Sequence, residues 1–506
     1  MAWLGEIMRQ RPLDDVLRPY ARVIADKDTW QSAAGRLAMG EARLLSLWAE
    51  PDAVHMALET DAALAVMSLA CPGGSFPSVG RMYRPALRLE RTIRDLYGLR
   101  PEGCPDDRGW LDHGRWGVRH PLGAGADAPA VGGDTYAFLT AEGPPLHQIP
   151  VGPVHAGIIE PGHFRFSANG ETVVRLEERL GYVHKGIDGL MISANLERAA
   201  KLAARVSGDS TVAYSIAFAR AVEAALGLEA PRRSVWLAAL MAELERLANH
   251  LGDIGAIAND ASFSLLHAHC GILREQVLRT SAVCFGHRLM MDRVVPGGVA
   301  VDLSSEGAGA ARALVRTIER QFPELVELYD NTTSLQDRTV ATGILSPALA
   351  RQYGAGGFVG RASGGSRDVR KAPGYAPYTG LAFDVPTRDQ GDVDARVWVR
   401  IEEVRQSVRL VGQLLDGLPG GPVRADLSRP EFRKPTAEGL ALIEGFRGDV
   451  LVWVRLDPDV NVLRCHLRDP SWFQWPLLEA AIEGNIVADF PLCNKSFNCS
   501  YSGHDL

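Results

Sequence analysis

The stretch Ser234–Leu251, SVWLAALMAELERLANHL, limits the fold more than any other. Its apolar residues Trp236, Leu237, Leu240, Met241, Leu244, Leu247, Ala248 and Leu251 recur at intervals of three and four. That is the period of an α-helix with one broad buried face. A face this wide needs a second layer to bury it. Ser234 is read as its N-cap. ARVWVRIEEVRQSVRLVGQLLDGLPGG, from Ala395, repeats the period and is stopped by Gly417, Pro419 and the glycines that follow. Ahead of both helices, HFRFSANGETVVRLEE places Asn169-Gly170 between two β-type runs, the chemistry of a tight hairpin turn. The expectation is an α+β chain whose later part is mainly helical, with a small sheet at its start.

The 506 residues suffice for more than one domain. Between about 121 and 153 the composition turns to Gly, Ala and Pro with little periodicity, which reads as a connection. The expected organisation is a small α/β unit at 1–122, a linker at 123–151 and a larger unit at 152–506. In the first unit SAAGRLAMGEARLLSLWAE (32–50) reads as helical, among short strands. Net charge is −7, from 54 Lys+Arg against 61 Asp+Glu, so no basic field points to nucleic acid. The first twenty residues hold charges throughout and no apolar core, unlike a signal peptide. No run of about 18 apolar residues exists, so contact with a membrane is expected only through partners. The seven cysteines (71, 104, 270, 284, 465, 493 and 499) are odd in number and form no Cys-x-x-Cys pair. That fits a reducing cytoplasm and neither a disulfide framework nor a zinc site.

Four segments carry chemistry. GPVHAGIIEPGHFRF (152–166) sets His155, Glu160 and His163 among Gly and Pro; it reads either as a polar surface loop or as a proton-handling loop. LAARVSGDSTVAYS (202–215) is a small polar interruption that suits a helix start. NHLGDIGAIAND (249–260) extends the long helix with Asp253 and Asp260, either solvated or facing a cavity. GFVGRASGGSRDVRK (357–371) is a cationic, Gly-rich loop that matches neither a phosphate loop nor a dinucleotide fingerprint.

Together these segments resemble the superfamily of nickel–iron hydrogenase large subunits and the 49-kDa-type subunit of respiratory complex I. RASGGSRDVRKAPGYAPYTGLAFDVPTRDQGD (361–392) and VRIEEVRQSVRL (399–410) carry the likeness over the second unit. LRLERTIRDLYGL (87–99) and HPLG (120–123) are similar to the 30-kDa-type subunit of complex I. The fused order resembles group 4, formate-hydrogenlyase-type large subunits. In hydrogenases two Cys-x-x-Cys pairs hold the metals, because soft thiolates suit nickel and low-spin iron. Carried onto this chain, the first pair falls on Ser207 and Ser210, and the second on Ser500 and Gly503. The resemblance therefore implies no metal bound here; Ser207, Gly208, Ser210, Ser500 and Gly503 would line the former metal cavity as a quinone-type pocket. Glu160 resembles the proton-passing glutamate of hydrogenases, Tyr214 takes the place of a hydrogenase histidine, and Asp260 matches a helix aspartate of complex I. The tail from Pro491 is expected to fold back beside RVSGDS and close the cavity.

Two readings follow from the resemblance. In one, the chain is a subunit of a membrane-bound, complex I-like or hydrogenase-related oxidoreductase. It would line a cavity beside a 4Fe-4S cluster held by an iron–sulfur small subunit and pass electrons to quinone or a similar carrier. Protons would move through His155, Glu160, His163, Asp260 and Tyr214. Antiporter-like membrane subunits would anchor it on the cytoplasmic face, with no nucleic acid among its partners and no cofactor held by this chain alone. In the other, it is a redox-inactive structural or coupling subunit of such a complex.

Overall fold

The computed structural model describes residues 3–11, 13–14, 16–125, 136–143, 145–427 and 435–506. In the N-terminal part, strands Arg43–Glu50, Ala53–Glu59 and Leu64–Ala70 form an antiparallel meander. Ala21–Ala25 adds parallel to Leu64–Ala70, and Leu13–Asp14 closes that edge. Helices Lys27–Ala38 and Leu87–Tyr97 accompany this sheet. The stretch 32–50, expected to be helical, divides: a helix to Ala38 and then a strand from Arg43. The reason is tertiary. Leu44, Leu45, Leu47 and Trp48 are all buried, so both faces of this strand are covered and period-2 alternation is lost.

What covers the second face is a sheet that the sequence did not disclose. Ala437–Gly445, Gly448–Leu456 and Val462–Arg468 pair antiparallel, and Leu17–Arg18 from the chain start joins parallel to Ala437–Gly445. Trp48 lies 5.8 Å from Trp453 between ring centres, and Arg43 pairs with Asp449 at 2.8 Å. The two units thus share one interior. Of the segment expected as a linker, Leu146–Val151 is a strand beside His163–Asn169; residues 126–135 lie outside the described residues.

The hairpin forms as expected but one residue later. Asn169 pairs with Thr172, leaving Gly170 and Glu171 as the turn, with Gly170 at φ 58°. A positive φ at the first central position is what glycine permits at low cost.

Helices Arg232–Asp260, Ser264–Phe285, Ser305–Asn331 and Val393–Asp416 pack around the expected apolar stripe. Ser234 is not the N-cap: the helix begins two residues earlier after Pro231, and Ser234 Oγ donates to the Pro231 carbonyl at 2.7 Å. The opposite side of this helix is not solvent. Glu243, Arg246 and His250 are 0–1% exposed and join Glu403, Arg361, Arg370 and Asp368 in a buried ionic network. Two segments named above, 357–371 and 399–410, supply four of these seven residues. Buried charges persist only when paired in this way.

Candidate functional site

RVSGDS and the tail meet. A short 3-10 turn at Gly208–Ser210 leads into helix Thr211–Leu226. The expected local cap does not form: Thr211 Oγ1 turns back to the Ala204 carbonyl. Instead Glu245, from the long helix, accepts the Val212 and Ala213 N–H groups at 2.7 and 3.1 Å. An anion at a helix N-terminus is favourable. Burial nonetheless pushes the Glu245 carboxyl up to about 8, since the two N–H bonds only partly offset it.

At the other wall, helix Phe490–Phe497 ends at Asn498 in the left-handed region, and a short final helix, Tyr501–Asp505, follows. Ser500 caps it by accepting the Gly503 N–H at 2.9 Å. Its hydroxyl also lies 3.0 Å from Ser207 Oγ. The tail therefore closes directly onto the first serine pair.

Between the walls lies a polar pocket of about 280 Å³, lined among others by Glu160, Ser207, Gly208, Asp209, Arg447 and Ser500. Its centre is an ion pair absent from the sequence reading as a pair. Arg447 occupies the two-residue turn between strands Ala437–Gly445 and Gly448–Leu456. It holds Asp209 through Nη1 at 2.7 Å and Nη2 at 2.6 Å, and donates to Ser210 Oγ at 3.0 Å and the Asn498 carbonyl. Burial raises the Asp209 carboxyl, but the Arg447 charge and the hydroxyls of Ser207 and Ser210 outweigh it and hold the carboxyl below its ordinary range. Gly-x-x-Gly between two β-rich runs was the available signal for the Arg447 turn.

The remaining expected residues fall into three groups. Glu160 is exposed at the rim, where it accepts the Ser502 N–H at 2.9 Å. His155 reaches the pocket through Tyr501, whose Oη lies 3.4 Å from His155 Nε2. Burial and the nearby Lys495 charge lower the His155 pKa, which favours the neutral ring. Tyr214 stands behind the pocket, fully buried, donating to Asp469 Oδ2 at 2.7 Å; burial and that carboxylate push its phenol well up. His163 and Asp260 lie outside the lining. His163 contacts the Gly152 carbonyl and Arg165 on the sheet, and Asp260 ends the long helix, its pKa raised by burial against the opposing Lys495 charge.

A nickel–iron centre does not fit these donors. Serine hydroxyls are hard, weakly acidic ligands, and those present are committed to one another, to Asp209 and to a helix cap. A Cβ at position 503 would meet Asp469 Oδ2 at 2.4 Å and Ser500 Oγ at 2.9 Å. The space a fourth ligand needs is filled by the carboxylate that holds Tyr214. Cys499 lines the pocket but is 5% exposed, and burial raises its thiol; Cys493 lies deeper, pushed up to about 11. Among the described residues no group of three or more His, Cys, Asp and Glu side chains is arranged to hold a metal ion.

Two family models match the chain. Residues 265–432 and 426–505 match the 49-kDa subunit of respiratory-chain NADH dehydrogenase, and 45–129 match its 30-kDa subunit. Formate hydrogenlyase subunit 5 of Escherichia coli is 31% identical over 85% of this chain and 77% of its own length. Hydrogenase-4 component G of the same organism is 32% identical over 85% and 76%. An NADH-quinone oxidoreductase subunit of Desulfotalea psychrophila is 30% identical over 67% and 91%. The α+β fold, the two kinds of unit and these relatives agree: the chain belongs to the family of the complex I 49-kDa subunit and the formate-hydrogenlyase-type large subunits, in the form fused to a 30-kDa-type unit.

Proposed function

We propose that this chain is the acceptor-binding subunit of a multisubunit, membrane-associated oxidoreductase that works without nickel. The observation that carries this reading is the polar pocket at the family's metal position, rebuilt around Asp209 and Arg447 and open at Glu160. An iron–sulfur small subunit would face it with a 4Fe-4S cluster, which supplies electrons one at a time. A quinone or similar two-electron carrier taking two electrons and two protons leaves as the quinol. Ser207, Ser500 and the Arg447 guanidinium can hydrogen-bond its oxygens. Glu160, at the rim, can take up protons from water and deliver one to the carrier, and a proton picked up by His155 from solvent can be relayed through Tyr501 as the second. Among the described residues no helix is long and apolar enough to cross a membrane. The proposed anchorage, on the cytoplasmic face, is through antiporter-like membrane subunits.

One observation favours the structural alternative. The serines, Asp209, Arg447 and the Gly503 N–H already satisfy one another, so the pocket is polar but internally paired. Reduction of a short-chain ubiquinone by the purified assembly separates the two. The redox reading expects turnover in wild type and at least a tenfold loss in Glu160→Gln with the assembly intact by size exclusion. An intact assembly that reduces no quinone with any donor leaves the structural role.

A further inference from the structure

The polar pocket is unevenly paired. Asp209 and Arg447 hold each other, Ser207 and Ser500 share a hydrogen bond, and Ser500 takes the Gly503 N–H. Lys495 stands outside that pairing. It lies on helix Phe490–Phe497, lines the pocket and is only partly buried. Among the described residues its ammonium has no ion pair and no hydrogen bond. Its charge acts on His155 and Asp260 through space, without a bond to either.

A lysine ammonium is a compact charge with three donors. Set on the wall of a pocket and left unmatched, it is poised for an incoming anion. The two carboxylates of the lining leave that role open. Asp209 is neutralised by Arg447, and Glu160 stands at the solvent-facing rim, where it accepts the Ser502 N–H. Water and salt screen its charge there.

The mouth of the pocket is apolar on one side. Ile158 and Ile159 line it from the loop 152–166, and Ile158 is 97% exposed. An exposed isoleucine beside a polar pocket offers a face to a flat apolar ring. A bare inorganic anion would leave that face unused. The pocket, about 280 Å³ in volume, thus combines a free cation with an apolar lip. An organic anion with a small ring body matches both.

Resting on the acceptor-pocket reading above, we infer that Lys495 sets the specificity of this site. The preferred acceptor is a quinone that carries an ionised ring hydroxyl. Lys495 Nζ donates to that oxygen while the ring lies against Ile158 and Ile159. A neutral quinone enters the same pocket and forgoes the charge-assisted bond.

The test compares two ligands on the purified assembly by isothermal titration calorimetry. One is 2-hydroxy-1,4-naphthoquinone, ionised at pH 7; the other is 2-methoxy-1,4-naphthoquinone, which is neutral. Wild type should bind the hydroxyquinone at least tenfold more tightly, the scale of one hydrogen bond to a charged group. Lys495→Met keeps the apolar stem and should abolish the preference, with methoxyquinone binding changed less than threefold. Lys495→Arg should retain most of the preference. Size exclusion confirms that each variant assembles, and the wild-type comparison stands without them. Equal binding of the two quinones, a preference that survives Lys495→Met, or sulfate competing as well as the hydroxyquinone would overturn this inference and leave the acceptor pocket standing. Binding of neither quinone would overturn both.

Discussion

Breaking the Asp209–Arg447 pair gives the sharpest energetic test of the site. Two opposite charges about 4 Å apart interact by about 4 kcal/mol at an effective dielectric of about 20. The Arg447 side chain is 5% exposed but that of Asp209 is 39% exposed, so water screens one partner. Halving the interaction for that screening leaves a coupling of roughly 2 kcal/mol. The single variants should be unequal. Asp209→Asn strands a buried guanidinium and costs about 3 kcal/mol, near the low end for a broken buried pair. Arg447→Met leaves a carboxylate that still reaches solvent and two serine hydroxyls, and costs about 1–2 kcal/mol. The double variant should then cost about 2 kcal/mol less than the sum. Urea unfolding followed by tryptophan fluorescence, with all four proteins at one pH and salt, measures this cycle. Additivity within about 0.5 kcal/mol would refute the claim that this pair organises the pocket.

Three further outcomes follow from the geometry. Gly503→Ala places a methyl against Asp469 and Ser500 and should destabilise by about 1–3 kcal/mol, read as a lower urea midpoint at unchanged slope; an unchanged midpoint would contradict the packing. Glu245 holds its proton to about 8 in the folded chain, whereas an unfolded glutamate releases it near its ordinary 4.5. Between those values the native state binds the extra proton, so stability should fall as pH rises by up to a few kcal/mol, and Glu245→Gln should flatten that slope. Cys493 and Cys499, buried and with raised thiols, should resist iodoacetamide at pH 8 in the folded chain and react once urea is added; rapid native labelling would show that the tail opens.

Much of this was legible in the sequence because it is local or periodic. The stripe from Trp236 to Leu251 needs only the helical repeat, and the hairpin at Gly170 needs only turn chemistry. The serine positions came from motif likeness, and the closure of Ser500 onto Ser207 followed from it. What escaped is non-local. Arg447 and Asp209 stand 238 residues apart, and neither has a local signature of its partner. Asp469 matters because it fills the space beside Gly503, which no spacing encodes. Strands Ala437–Gly445 and Gly448–Leu456 are buried on both faces, so no polar–apolar alternation marks them beyond the short apolar runs LALI and VLVWV. Glu243, Arg246 and His250 carry no local sign of burial; only the pairing with Glu403, Arg361 and Arg370 explains it.

The central claim is that the family's metal position has become a polar, metal-free acceptor pocket. Nickel per chain, measured by mass spectrometry on the purified assembly while hydrogen uptake and quinone reduction are assayed on the same sample, tests it most directly. The account predicts iron from the partner's cluster, nickel far below one per chain, no hydrogen uptake, and quinone reduction that falls with Glu160→Gln. One nickel per chain with hydrogen uptake would contradict it.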